Sequence, residues 1–195
     1  MADQPTTTYS HRAKPYAQEA QFRLMPQHLA IEQGRRSGDF AYQDIVMIRL
    51  MYKPRNTTNE GYQAKIYRRD KRTAALTNLS WKSLVDMDRQ DGEYRAFMLA
   101  LIAKVYFTNP NVALEAGMPR WLHSITAIAG IVAVLAMIVV TAQALRNGVY
   151  AAAVITSILA LYFGWWSIRY LSRNRPRSFT ANDIPQDVLP KVDAK

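Results

Sequence analysis

Residues 121–145 read "WLHSITAIAGIVAVLAMIVVTAQAL" and residues 149–170 read "VYAAAVITSILALYFGWWSIRY", with only Arg146, Asn147 and Gly148 between them. The first run holds no formal charge, and the second holds Arg169 alone, near its end. About 20 apolar helical residues cross the hydrocarbon core of a bilayer, so each run is long enough by itself. Asn-Gly is a turn signal, and a charged Arg146 halfway along one continuous helix would be costly in lipid. The pattern predicts two spans joined by a tight hairpin; the competing reading is a buried helical hairpin of a soluble protein.

Basic residues set the expected orientation. Arg120 precedes the first span, and Arg169, Arg173, Arg175 and Arg177 crowd the end of the second. The turn has only Arg146. Positive charge stays on the cytoplasmic side, so both termini are expected in the cytoplasm. Trp121, Trp165, Trp166 and Tyr170 lie where interfacial aromatics belong, alongside Arg169 and Arg173, and Tyr150 lies at the opposite interface. Ala152, Thr156, Ala160 and Gly164 recur every fourth residue, a stripe that lets helices approach closely. The expected partner is the first span, through Ala129 and Ala133, with another subunit as the alternative. Gln143 and His123 are too few and too peripheral for a transport pathway. The hairpin reads as an anchor.

Residues 20–112 differ in character. "QFRLM", "HLAIEQ" and "FAYQDIVMIRLMY" carry strand patterns separated by Pro26 and "GRRSGD". In the last of these, Val46, Ile48, Leu50 and Tyr52 alternate with Ile45, Met47, Arg49 and Met51, as expected of a sheet with one buried face. "YQAKIYRR" and "TAALTNLSW" follow as two strands around Asp70-Lys71, so the basic stretch "IYRRDKRTA" falls at a hairpin tip. Beyond Trp81, apolar residues at 94, 97, 98, 101, 102 and 105 define one helical face, with Asp91 as the expected N-cap and Asn109-Pro110 as the stop. That face is expected to cover the sheet rather than lie on a membrane.

Strands followed by one amphipathic helix, carried by "FRLMPQHLAIEQG", "FAYQDIVMIRLMY" and residues 91–107, resemble a bacterial pleckstrin-homology-like (PH-like) domain. Tyr42, Asp44 and Ile45 match the element that commonly opens a central strand there. "SWKSLVDMDRQDGEYRAFMLALI", followed by two spans, is similar to a family of uncharacterised two-span bacterial inner-membrane proteins. The resemblance implies an α+β fold: a PH-like antiparallel β-sheet or partial barrel with a C-terminal capping helix, plus a two-helix transmembrane hairpin. The expected organisation is a flexible lead (1–19), a cytoplasmic PH-like domain (20–112), the hairpin (121–171) and a disordered basic, proline-containing tail (172–195). The N-terminal segment has no apolar run of the kind a cleaved signal peptide carries.

Chemistry is sparse. There is no cysteine, which removes disulfides and thiolate sites, and His11, His28 and His123 stand at no ligand spacing. "VDMDRQDGE" lacks the glycine and closing glutamate of a calcium loop. No metal, cofactor or enzymatic activity is expected. Lys and Arg number 25 against 15 Asp and Glu, a net charge of +10, which favours anionic surfaces. Nucleic acid is disfavoured because the aromatic residues beside basic ones are ordinary strand residues. The expected function is a non-enzymatic, membrane-anchored interaction or scaffold module, an accessory subunit or assembly factor of a membrane complex. The alternative is recognition of anionic lipid headgroups by Arg35, Arg36, Arg68, Arg69, Lys71 and Arg72.

Overall fold

The structure, a computed structural model, describes residues 8–34, 36–55, 60–84 and 86–191. It has mixed α and β content, with β-sheets and three helices, and divides into two units. The first comprises Met1–Gly117 and Arg177–Lys195; the second is Met118–Pro176.

The first unit opens with an antiparallel meander: β1 (Thr8–His11), β2 (Ala20–Leu24), β3 (His28–Gln33) and β4 (Arg36–Ala41), in that spatial order. Alternation decides its faces: Ala20, Phe22 and Leu24 are buried while Gln21 and Arg23 are half-exposed. A 3-10 turn at Tyr42–Asp44 then leads into β5 (Ile45–Tyr52). Next come β6 (Tyr62–Arg68) and β7 (Thr73–Thr77), a short ribbon of β8 (Leu79–Trp81) and β9 (Met87–Arg89), and α1 (Asp91–Thr108). After α1, β10 (Ala113–Ala116) runs parallel to β5, and β11 (Arg177–Ser178) runs antiparallel to β10. The second sheet therefore has the order β11-β10-β5-β6-β7, and neither sheet closes on itself.

The helical face is buried within this unit. Tyr94, Phe97, Met98, Leu101, Ile102 and Val105 are all buried, with the Tyr94 and Phe97 rings 5.9 and 5.6 Å from that of Tyr9. Each such side chain stabilises the fold by about 1.5–3 kcal/mol relative to exposure. Asp91 is the first helical residue and not the cap, which is Gln90. Its carboxylate is held instead by Asn78 and Arg89.

Several expectations need correcting. The polar lead of residues 1–19 contains β1, because Tyr9 is 1% exposed and donates its hydroxyl to the Thr77 carbonyl at 2.5 Å. The single strand expected over "TAALTNLSW" breaks at Asn78 into β7 and β8. In β5 the alternation slips: Ile45 pairs with Arg68 and Met47 with Tyr67, leaving Val46 as an extra residue. This bulge turns Val46 outward and puts Ile45 on the buried face with Ile48, Leu50 and Tyr52. Residues 113–116 and 177–178 extend the sheet beyond the expected boundary at 112.

In the tail expected to be disordered (172–195), α3 continues to Arg173, residues 177–191 pack within the first unit, and 192–195 lie outside the described residues. Val188 and Leu189 are fully buried, Phe179 N–H donates to the Leu114 carbonyl, and Arg95 donates to the Pro190 carbonyl and the Gln186 side chain. Two apolar residues among prolines give no periodic signal, which is why sequence pattern misses them.

The second unit is a helical hairpin of α2 (Arg120–Arg146) and α3 (Tyr150–Arg173), with mean hydropathies of 2.7 and 1.6 in their most apolar stretches. At about 1.5 Å per residue, both are long and apolar enough to cross a membrane. Their turn is closed by Gly148 at φ +71°, with Val149 N–H on the Ala144 carbonyl and Gly148 N–H on the Leu145 carbonyl. That is a Schellman cap, whose left-handed position favours glycine.

Candidate functional site

The basic tip between β6 and β7, residues 69–72, is built on a turn. Lys71 N–H donates to the Arg68 carbonyl, Arg68 N–H donates to the Arg72 carbonyl, and Lys71 sits at φ +67°. A left-handed residue there continues the strand twist, though an L side chain adopts it at some cost. Asp70 accepts the Arg72 N–H and pairs with Arg72 Nε at 3.3 Å.

Arg68 is committed internally. Its Nε lies 3.7 Å from Asp44 and 3.6 Å from Asp70, its Nη1 donates to the Asp39 carbonyl, and its guanidinium sits 5.7 Å from the centre of the Phe40 ring. The Arg69 N–H donates to the Asp44 carbonyl. The tip is thus fastened to the 3-10 turn and to β4. Of the six cations expected to recognise an anion, Arg68, Arg69, Lys71 and Arg72 share this tip, with Arg69, Lys71 and Arg72 exposed. Arg36 begins β4 opposite Gln33, and Arg35 lies outside the described residues. The four tip cations are together, but Arg68 is a structural clamp.

Beside the tip lies a cleft of about 610 Å³, bounded by the inner face of the first sheet and the free edge of β7. Its floor is apolar, with Phe22, Ile31 and Phe40, while Gln33, Ser37, Arg72 and Thr73 line its rim. His11 also lines it. That ring is 1% exposed, stacks 5.6 Å from Phe22 and 5.8 Å from Tyr9, and its Nδ1 has no hydrogen-bond partner among the described residues. Burial pushes the His11 pKa down to about 4 against a smaller opposing effect from Glu19, which leaves the imidazole neutral at pH 7. Burial likewise pushes the Tyr42 phenol up to about 12, and the Tyr9 and Tyr94 phenols well above their ordinary value.

A second recess of about 340 Å³ is lined by Lys53, Arg55, Gln63 and Trp81, with Arg55 stacked 4.2 Å from the Trp81 ring centre. Behind it, Asn78 is fully buried. It accepts the Tyr62 N–H at 2.7 Å and donates to the Glu60 carbonyl at 3.2 Å and to Asp91 Oδ1 at 2.5 Å. Arg49, expected on the open face of β5, is paired with Glu115 of β10, which brings that carboxylate alongside. Sequence pattern misses both links. A polar residue interrupting a β-rich run is the available signal for Asn78, and the alternation of "ALEA" is the faint one for β10.

In the hairpin, the stripe of Ala152, Thr156, Ala160 and Gly164 lies half-buried on α3. Thr156 meets the Thr141 hydroxyl at 2.7 Å. A methyl added at Gly164 would lie 3.9 Å from Val134, and one at Gly130 would lie 3.7 Å from Ser167. On α2 the contact runs through Gly130, Ala133, Val134 and Thr141; Ala129 is exposed one residue off that face. Trp121 and Trp165 are exposed and Trp166 is half-buried. Arg169 stacks on Trp165 at 5.7 Å, and Arg173 ends α3.

Among the described residues, no group of three or more His, Asp or Glu side chains comes together as a metal site would require. Comparison with protein-family models, curated proteins and solved structures finds no match to the chain.

Proposed function

We propose that the chain is a non-enzymatic interaction module with a PH-like sheet domain, anchored in a bacterial inner membrane by its helical hairpin, with both termini cytoplasmic. One observation carries this reading. The strands that precede and follow the hairpin pair with each other, Ala116 opposite Arg177, inside the sheet of the first unit. The Met118 N–H and Asn174 carbonyl close the hairpin's own base at 3.1 Å. A hairpin rooted at both ends in one sheet serves to hold that sheet at a surface. The unit then acts by what it binds, as an accessory subunit or assembly factor of a membrane complex.

The test is site-specific photocrosslinking in native membranes from exposed positions such as Tyr16 and Phe107, which are 87% and 89% exposed. A discrete adduct from one face and not another, identified by mass spectrometry, supports the reading. A protein that yields no adduct from any face and runs as a lone monomer removes it.

A second reading rests on the exposed cations at the tip. Arg69 and Lys71 make no side-chain hydrogen bond or ion pair among the described residues, so they are available to anionic headgroups. Each such cation contributes about 1 kcal/mol near an anionic leaflet. Hydrogen exchange in nanodiscs with and without anionic phospholipid tests it. Tip protection that needs the anionic lipid and is lost in Arg69→Glu/Lys71→Glu supports it, and identical exchange in both lipids eliminates it.

A further inference from the structure

We infer that the cleft beside the basic tip is a binding site for a single-chain anionic amphiphile of the fatty-acid type, tail against the sheet and carboxylate at Arg72. This goes beyond display of an interaction surface, and it stands whether or not a protein partner exists. The volume of about 610 Å³ falls within the roughly 300–1,000 Å³ that small-molecule pockets occupy.

The lining has the polarity such a molecule needs. Phe22, Ile31 and Phe40 give an apolar floor, and among the described residues no carboxylate lines the cleft and Arg72 is the one formal charge on its wall. The Arg72 side chain is 71% exposed, and Asp70 engages it through Nε, so its two Nη groups make no hydrogen bond among the described residues. A planar guanidinium edge left open in this way suits a carboxylate. The neutral His11 ring also lines the cleft and stacks on Phe22, extending that apolar floor.

Gly38 supplies the remaining argument. It stands opposite Ile31 on β4, lines the cleft, and a Cβ built on it meets no atom within 4 Å. The space is therefore open, and a large side chain can enter it without displacing the sheet. Access from a bilayer is the natural route for such a ligand in a chain carrying two membrane-length helices.

The experiment uses the full-length protein in nanodiscs and a fatty acid bearing a diazirine on its tail, with adducts mapped by peptide mass spectrometry. Labelling is expected on the β2, β3 and β4 peptides that carry Phe22, Ile31 and Phe40. Gly38→Trp, which fills the cleft, is expected to abolish that labelling while leaving adducts on α2 and α3 unchanged. Arg72→Glu, an exposed substitution that leaves the fold intact, is expected to lower it about tenfold, and the methyl ester of the probe should label as weakly. Labelling confined to the two long helices overturns the proposal, as does sheet labelling that survives both substitutions. So does an absence of any sheet labelling, the result expected if the β7 edge instead takes an extended peptide.

Discussion

Replacing Asn78 with alanine should unfold the sheet unit at markedly lower denaturant. The side chain is fully buried and makes three hydrogen bonds, to the Tyr62 N–H, the Glu60 carbonyl and the Asp91 carboxylate. Two are neutral, each contributing about 1 kcal/mol net, and the third is charge-assisted, at about 1.5–3 kcal/mol. The three together give roughly 3.5–5 kcal/mol, a lower bound because the buried Tyr62 N–H is also left without its partner. Asn78→Asp should lose as much, since it sets a second carboxylate against Asp91. Asp91→Asn should lose only about 1 kcal/mol, because an amide oxygen still accepts from Asn78. Proteolysis of detergent-solubilised protein across a urea series reads the unfolding midpoint of the sheet unit, and a double-mutant cycle isolates the Asn78–Asp91 coupling. A loss below about 1 kcal/mol for Asn78→Ala, or additive effects of the two substitutions, would refute the idea that this residue ties β7, the loop before β6 and α1 together.

Other outcomes follow from the same structure. Lys71→Gly should raise the urea midpoint by an amount equivalent to about 0.5–1 kcal/mol, because glycine accepts the +67° φ that lysine bears at a cost; Lys71→Ala should not. Removing residues 181–195 should destabilise the sheet unit by about 3–6 kcal/mol, the burial of Val188 and Leu189, seen as faster proteolysis of the region before α2. His11 is held neutral, its pKa lowered from 6.5 to about 4, so the unfolded chain binds its proton first as pH falls. Stability should therefore be full above pH 6.5 and decline towards pH 4 by up to roughly 3 kcal/mol, a slope that His11→Phe flattens in pH-resolved denaturation.

The legible parts of this chain are those where one physical signal dominates. The offsets of Tyr94, Phe97, Met98, Leu101, Ile102 and Val105 place the buried face of α1 residue by residue, and hydropathy with Asn147-Gly148 places the helical hairpin and its turn. Alternation in β6 is equally plain, with Tyr62, Ala64 and Ile66 buried. What escapes are features set by long-range partners. The Val46 bulge depends on the pairing of Ile45 with Arg68; β1 depends on one tyrosine meeting α1; β10 depends on an edge that β5 leaves free. The basic tip is legible as a hairpin from composition, yet the reach of Arg68 to Asp39, Asp44 and Phe40 is set by how β4 and the 3-10 turn pack beside it. The cleft is legible nowhere in the sequence, because its lining comes from β1, β2, β3, β4 and β7.

The central claim is an anchor with both ends on one side of a membrane, and the chain's lack of cysteine makes it directly measurable. Single cysteines at Tyr16, in the sheet unit, and at Asn147, in the hairpin turn, would be probed in intact bacterial cells with a membrane-impermeant maleimide. The account predicts that Asn147→Cys reacts in intact inner membranes once the outer barrier is opened, and that Tyr16→Cys reacts only after lysis. Labelling of Tyr16→Cys before lysis, or protection of Asn147→Cys until lysis, would contradict it.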